Sequence, residues 1–144
     1  MTSKEAMKLA LQKGKEAQLA DNGPFGAAIL KKGKLIVATR NTSSEDTDPT
    51  AHAEVNAIRE ACKKLNTTDL SGCILYTSCH PCPMCLSASK WANIEKIVYS
   101  LTNDDTKSLG FEDWYHYEEM SRSPSERDLP FDQLMNEEGK EMLT

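Results

Sequence analysis

The apolar positions change period several times along the chain, and each change marks an element. Across residues 3–20, Ala6, Met7, Ala10, Leu11, Ala17 and Leu19 recur at helical spacing among lysines and glutamates, which predicts an amphipathic helix. Asp21-Asn22-Gly23-Pro24 ends it, because glycine and proline continue a helix only at a cost. Residues 27–31 and 34–39 read as two short strands joined by a Lys32-Gly33 hairpin turn. Gly26 would let backbone approach a ligand closely, or serve only the start of the strand. Residues 40–50 form a polar loop, and Thr50 is the expected N-cap of a helix over 51–65. Its apolar stripe is Val55, Ile58, Ala61, Cys62 and Leu65, which makes Cys62 a core residue. Residues 73–77 are almost continuously apolar, as in a central strand covered on both faces, with Cys73 in a structural place. A helix over 83–91 opens on Pro83, and a further strand covers 97–99.

Two helices and two pairing strands thus precede a strand–helix–strand unit. That order predicts an α/β sandwich with a parallel segment in its sheet. Beyond it the pattern weakens. Residues 106–109 suit a short helix, 111–120 are aromatic and acidic, and 121–128 form a polar connection. Residues 130–134 are expected to dock on the body, and the last ten to be polar and mobile.

The 144 residues fit one domain, residues 1–144, with 121–144 as its C-terminal tail. The net charge of -5, with basic pairs only at Lys31-Lys32 and Lys63-Lys64, argues against a protein that holds nucleic acid by charge. Lys4, Glu5 and Lys8 interrupt the first ten residues, so they lack the apolar core of a signal peptide. No apolar stretch approaches the length of a membrane span. The cysteines number five, an odd total, and Cys73, Cys79, Cys82 and Cys85 cluster. This suits metal or redox use in a reducing compartment, and a cytoplasmic location is expected.

The cluster is where the chemistry lies. Cys82 and Cys85 are three apart at a helix start, where N–H dipoles stabilise thiolates. His52 also stands near a helix start. If the two helices begin side by side, His52, Cys82 and Cys85 converge on one zinc ion, one per chain. Three protein ligands leave a fourth position for water, whose pKa zinc lowers toward neutrality. Glu54, two residues after His52, is placed to take and return protons as a general acid–base. His-x-Glu alone means little, and Cys-x-x-Cys alone is ambiguous. The ordered pair, His52-Ala53-Glu54 and then Pro81-Cys82-Pro83-Met84-Cys85, is the known signature of zinc-dependent deaminases. The competing reading is a non-catalytic protein whose closed Cys₃His site adds Cys79, which would leave Glu54 without a purpose. His80 is expected beside the ligands in a loop, and His116 at the surface.

These motifs, with Gly23-Pro24-Phe25-Gly26-Ala27, Gly110-Phe111-Glu112-Asp113 and the stretch from Pro124 to Phe131, resemble the cytidine deaminase-like superfamily, and within it the bacterial guanine deaminases. The resemblance implies a three-layer α/β/α sandwich with a five-stranded mixed sheet. It implies that Asn41 hydrogen-bonds the base, that Asp113 reads its N–H edge, and that Phe25 and Trp91 surround it. Core packing competes for the two aromatic residues, and an exposed acid for Asp113. The implied reaction is hydrolysis of guanine to xanthine and ammonia. Guanosine or cytosine are alternatives in the same class, and tRNA adenosine is a more remote one. The branch tends to form homodimers whose C-terminal segments exchange, so residues 121–144 are expected to cross to a partner. Two features depart from the branch. His80 stands where relatives usually have glutamate, and the sequence ends at Thr144 without the longer aromatic tail.

Overall fold

Small residues decide how closely the first helix approaches the sheet. In the computed structural model, which describes residues 1–144, α1 (Ser3–Leu19) begins at Thr2 with a reciprocal capping box to Glu5. It turns Ala6, Ala10, Gly14 and Ala17 inward. β1 (Gly26–Lys31) runs directly beneath. A Cβ on Gly26 would stand 2.1 Å from the Ala10 carbonyl oxygen and 2.4 Å from the Gly14 nitrogen. The glycine therefore serves helix–strand packing, not the approach of a ligand.

β2 (Lys34–Arg40) pairs antiparallel with β1 through a turn in which Lys32 and Gly33 both have positive φ, the geometry that matches strand twist. The following loop carries a one-turn helix, α2 (Ser43–Asp46), and leads into α3 (Ala53–Leu65). The N-cap of α3 is His52, not Thr50. The Thr50 hydroxyl instead donates to Asp48 and accepts from Arg59, which fastens the loop. β3 (Cys73–Cys79) pairs antiparallel with β1 and parallel with β4 (Lys96–Leu101), with α4 (Pro83–Trp91) as the crossover. The strand order is β2-β1-β3-β4.

α1 covers one face of this sheet, where Ala6 packs with Ala28, Leu30 and Tyr76. α3 covers the other, where Ala53, Ala57 and Ala61 pack with Ala27, Ile29, Val37 and Leu75. The three layers and the mixed sheet are as expected, but the sheet has four strands and not five. After β4, Thr102 and Asp105 form a second capping box and start α5 (Asn103–Ser108). Residues 129–134 carry Pro130, which cannot donate to a ladder, and they pair with no strand.

Past α5 the chain forms α6 (Trp114–Ser121), a short 3-10 turn (Pro124–Glu126) and α7 (Asn136–Leu143). Residues 130–134 do not dock on the body, since Phe131 and Leu134 are 63% and 85% exposed. The last residues form a helix where an irregular end was expected. No helix is long and apolar enough to cross a membrane.

Candidate active site

Two helix starts lie side by side, as the motif requires. His52 caps α3 and Cys82 caps α4, both with extended backbone, and Pro83 occupies the first turn of α4. Cys82 Sγ and Cys85 Sγ each lie 3.5 Å from His52 Nδ1. With Zn–S near 2.3 Å and Zn–N of 2.0–2.1 Å, a tetrahedral site has an S···N edge of about 3.6 Å. The donor set thus fits zinc in both chemistry and spacing. The three ligand atoms lie within 4.8 Å of one another, and Cys79 is not in the group.

The electrostatics follow from burial and mutual contact. The Cys82 thiol is pulled down to about 4, first by its hydrogen bond with Cys85 and then by His52. The same Cys82 contact, followed by burial, pushes the Cys85 thiol up. His52 is raised, chiefly through its contact with Cys82. Burial pushes the Cys79 thiol far up, which keeps it neutral.

Glu54 is 3% exposed, and burial raises its carboxyl. One oxygen accepts from Thr77 Oγ1 at 2.6 Å, and the other lies 3.2 Å from Cys85 Sγ. The carboxyl is therefore anchored on one side and beside the ligands on the other.

A cavity of about 210 Å³ opens above this centre, and Phe25, Asn41, His52, Glu54, Cys82 and Asp113 all contribute to its wall. Asn41 is buried. Its Oδ1 accepts from the Ser43 amide at 2.8 Å, which fixes the side chain's orientation. Asp113 is half-buried at the start of α6, and its carboxyl is raised by burial and then by the Cys82 charge. Trp91 stands elsewhere. It is 87% exposed at the end of α4 and lines a separate, apolar groove with Met84 and Met120 that reaches the cavity's edge at His52 and Cys82. The exposed His116 lines the same groove. His80 packs edge-on to Tyr99 and Tyr117, with ring centroids 5.0 and 5.8 Å apart.

Two contributors escaped the sequence reading. Phe111 meets Phe25 edge-on at 4.9 Å and closes the cavity's far side. It lay inside a recognised motif, but only as a neighbour of Asp113. Thr77 holds Glu54. Strand alternation counted back from Cys79 puts Thr77 on the same face as Leu75 and Cys73, toward α3.

The model of the cytidine and deoxycytidylate deaminase zinc-binding region matches residues 1–101. Guanine deaminase from Bacillus subtilis (strain 168) is 48% identical over 112 residues, which are 78% of this chain and 72% of that protein. The X-ray structure of guanine deaminase from Bacillus subtilis superposes with a TM-score of 0.93 at 42% identity, covering 99% of this chain and 92% of that one. A tRNA-specific adenosine deaminase from Aquifex aeolicus (strain VF5) is 46% identical over 94 residues, 65% of this chain and 62% of that protein. With the family's zinc-binding region matched and its donor set assembled at two helix starts, the chain belongs to the cytidine and deoxycytidylate deaminase family of zinc-dependent aminohydrolases.

Proposed function

We propose that this enzyme hydrolyses guanine to xanthine and ammonia. The carrying observation is that Asn41, Asp113 and Glu54 share one small cavity with the ligands His52 and Cys82. The similarity over most of the chain to guanine deaminase from Bacillus subtilis supports the same reading.

His52, Cys82 and Cys85 would hold the zinc ion. Zinc supplies Lewis acidity and brings a water's pKa near neutrality. Glu54 would carry two protons in turn, one from the attacking water to a ring nitrogen and a second, from the hydroxyl so added, to the leaving amine. The C–N bond breaks and a C–O bond takes its place, so water and guanine leave as xanthine and ammonia. Burial raises the Glu54 carboxyl, which favours its holding a proton, and Thr77 keeps it aimed.

Asn41 and Asp113 orient the base. Asn41 Oδ1 is engaged with Ser43, so its amide N–H groups face the base's acceptors. Asp113 accepts from the N–H edge of guanine, which adenine does not present in the same pattern. Phe25 flanks the base, with Phe111 set edge-on against it. Trp91 lines the neighbouring groove and not the cavity, so no base contact is assigned to it.

The enzyme is further read as a cytoplasmic homodimer of single-domain subunits acting in purine metabolism, with residues 121–144 exchanged between subunits. Exposed Leu129, Phe131, Leu134, Met142 and Leu143 on that tail support the exchange.

Ammonia release from guanine, guanosine, cytosine and a tRNA anticodon stem tests the substrate. The expected result is turnover of guanine well above the others. Preferential turnover of tRNA, in spite of the net charge of -5, would reject the reading.

A further inference from the structure

Residues 42–51 leave the body and return to it as a closed loop. The Thr42 amide donates to the Ala51 carbonyl at 3.0 Å, so the two ends of the loop are paired. Immediately outside that pair stand Asn41 and His52, and both line the cavity. Asn56 reaches the closure from α3. Its Nδ2 lies 3.0 Å from the Arg40 carbonyl oxygen, 2.9 Å from Thr42 Oγ1 and 3.3 Å from the Ala51 carbonyl oxygen. The two carbonyls can only accept, and Thr42 spends its own proton on Asp46 at 2.6 Å. Three acceptors around one atom identify it as the amide nitrogen.

One side chain therefore holds the residue before Asn41, the residue after it, and the residue before His52. Asn56 is also two positions beyond Glu54 on the same helix. The other anchors do not make this connection. The Asn41 amide donates to the Phe25 carbonyl at the entry to β1, and its Oδ1 accepts from Ser43, but neither bond reaches α3. The Thr39 hydroxyl donates to the Ala53 carbonyl at 2.7 Å, but two residues short of Asn41. Asn56 itself does not line the cavity, so any effect on the reaction passes through the loop.

We propose that Asn56 is a positioning residue that clamps the closure of loop 42–51 and so holds Asn41 in register with His52 and Glu54. The inference rests on the reading of Asn41 as a base contact. Its physical basis is that small displacements of a substrate-orienting group reduce rates steeply.

Asn56→Asp tests it, because an isosteric carboxylate turns an oxygen toward three acceptors. Asn56→Ala runs in parallel as the variant that removes the donor without adding charge, should Asn56→Asp fail to fold. The zinc-loaded variants are compared with Asn41→Ala and with the double variant. The expected result is a fall in kcat/KM for guanine of about tenfold, chiefly as a rise in KM, with zinc content unchanged. On the Asn41→Ala background the second substitution adds nothing. Amide hydrogen exchange gives a readout independent of turnover, and the Thr42 amide is expected to exchange faster in the variants while β1 does not. Additive effects, or an unchanged Thr42 exchange rate, would overturn the proposal. If guanine were not turned over at all, exchange would still decide the clamp, so the two readings fail separately.

Discussion

Cys79 separates the two ways of using the cysteine cluster. It is 4% exposed on the cavity wall, outside the group formed by His52, Cys82 and Cys85. Its sulfur is not among the ligand atoms that gather within 4.8 Å of one another, and that placement, not its titration, sets it apart from Cys85. Cys79→Ser should leave one zinc per chain, measured by metal analysis, at a stability cost of about 1 kcal/mol. Loss of the metal would restore the closed Cys₃His reading. At this scale the ligands were legible because two short motifs carried their own spacing. Thr77 and Phe111 were not, because each acts through a contact made only when distant elements meet.

At the scale of elements, α1 and β1 meet most closely at Gly26. An added methyl would meet backbone on both Ala10 and Gly14, and backbone cannot rotate aside as a side chain can. Gly26→Ala should therefore destabilise the fold by about 3 kcal/mol or more in a denaturant titration. A neutral outcome would mean that α1 can shift on the sheet. The opposite end of the site depends on α6, which carries Asp113. Tyr117 donates to the Pro81 carbonyl at 2.5 Å, next to Cys82, and burial raises its hydroxyl to about 12, so it stays a donor. Tyr117→Phe keeps the ring and removes that bond. It should raise KM for guanine severalfold while zinc content holds, and an unchanged KM would show that Phe111 alone holds the segment. Most of these elements could be read from period, since α1, the β1–β2 hairpin, β3 and α4 follow their apolar patterns closely. The start of α3 could not. Thr50 is a good cap by type, but Asp48 and Arg59 hold its hydroxyl in the loop and the helix begins two residues later. The fifth strand was inferred from resemblance, and no segment after β4 pairs with the sheet.

For the whole molecule, the distribution of exposed apolar groups is the feature still without a partner. The body buries its core between α1 and α3, yet Leu129, Phe131, Leu134, Met142 and Leu143 stay 63–88% exposed. A tail this apolar suits contact with a second subunit better than solvent. Sedimentation should give twice the 16.0 kDa chain mass, and truncation after Asp128 should return the enzyme to one chain. A full-length protein that sediments as a monomer would contradict the exchange. The tail's expected mobility came from its polarity, but residues 136–143 carry enough helix formers to make α7 without covering it.

In the proposed mechanism Glu54 moves the protons, and His52, Cys82 and Cys85 hold the zinc without it. The most direct measurement is ammonia release from guanine by zinc-loaded Glu54→Gln beside the wild-type enzyme, with zinc content determined on both samples. Equal zinc and a loss of turnover by a factor of about 10²–10⁴ are expected. Near wild-type turnover at full zinc occupancy would contradict that role for Glu54.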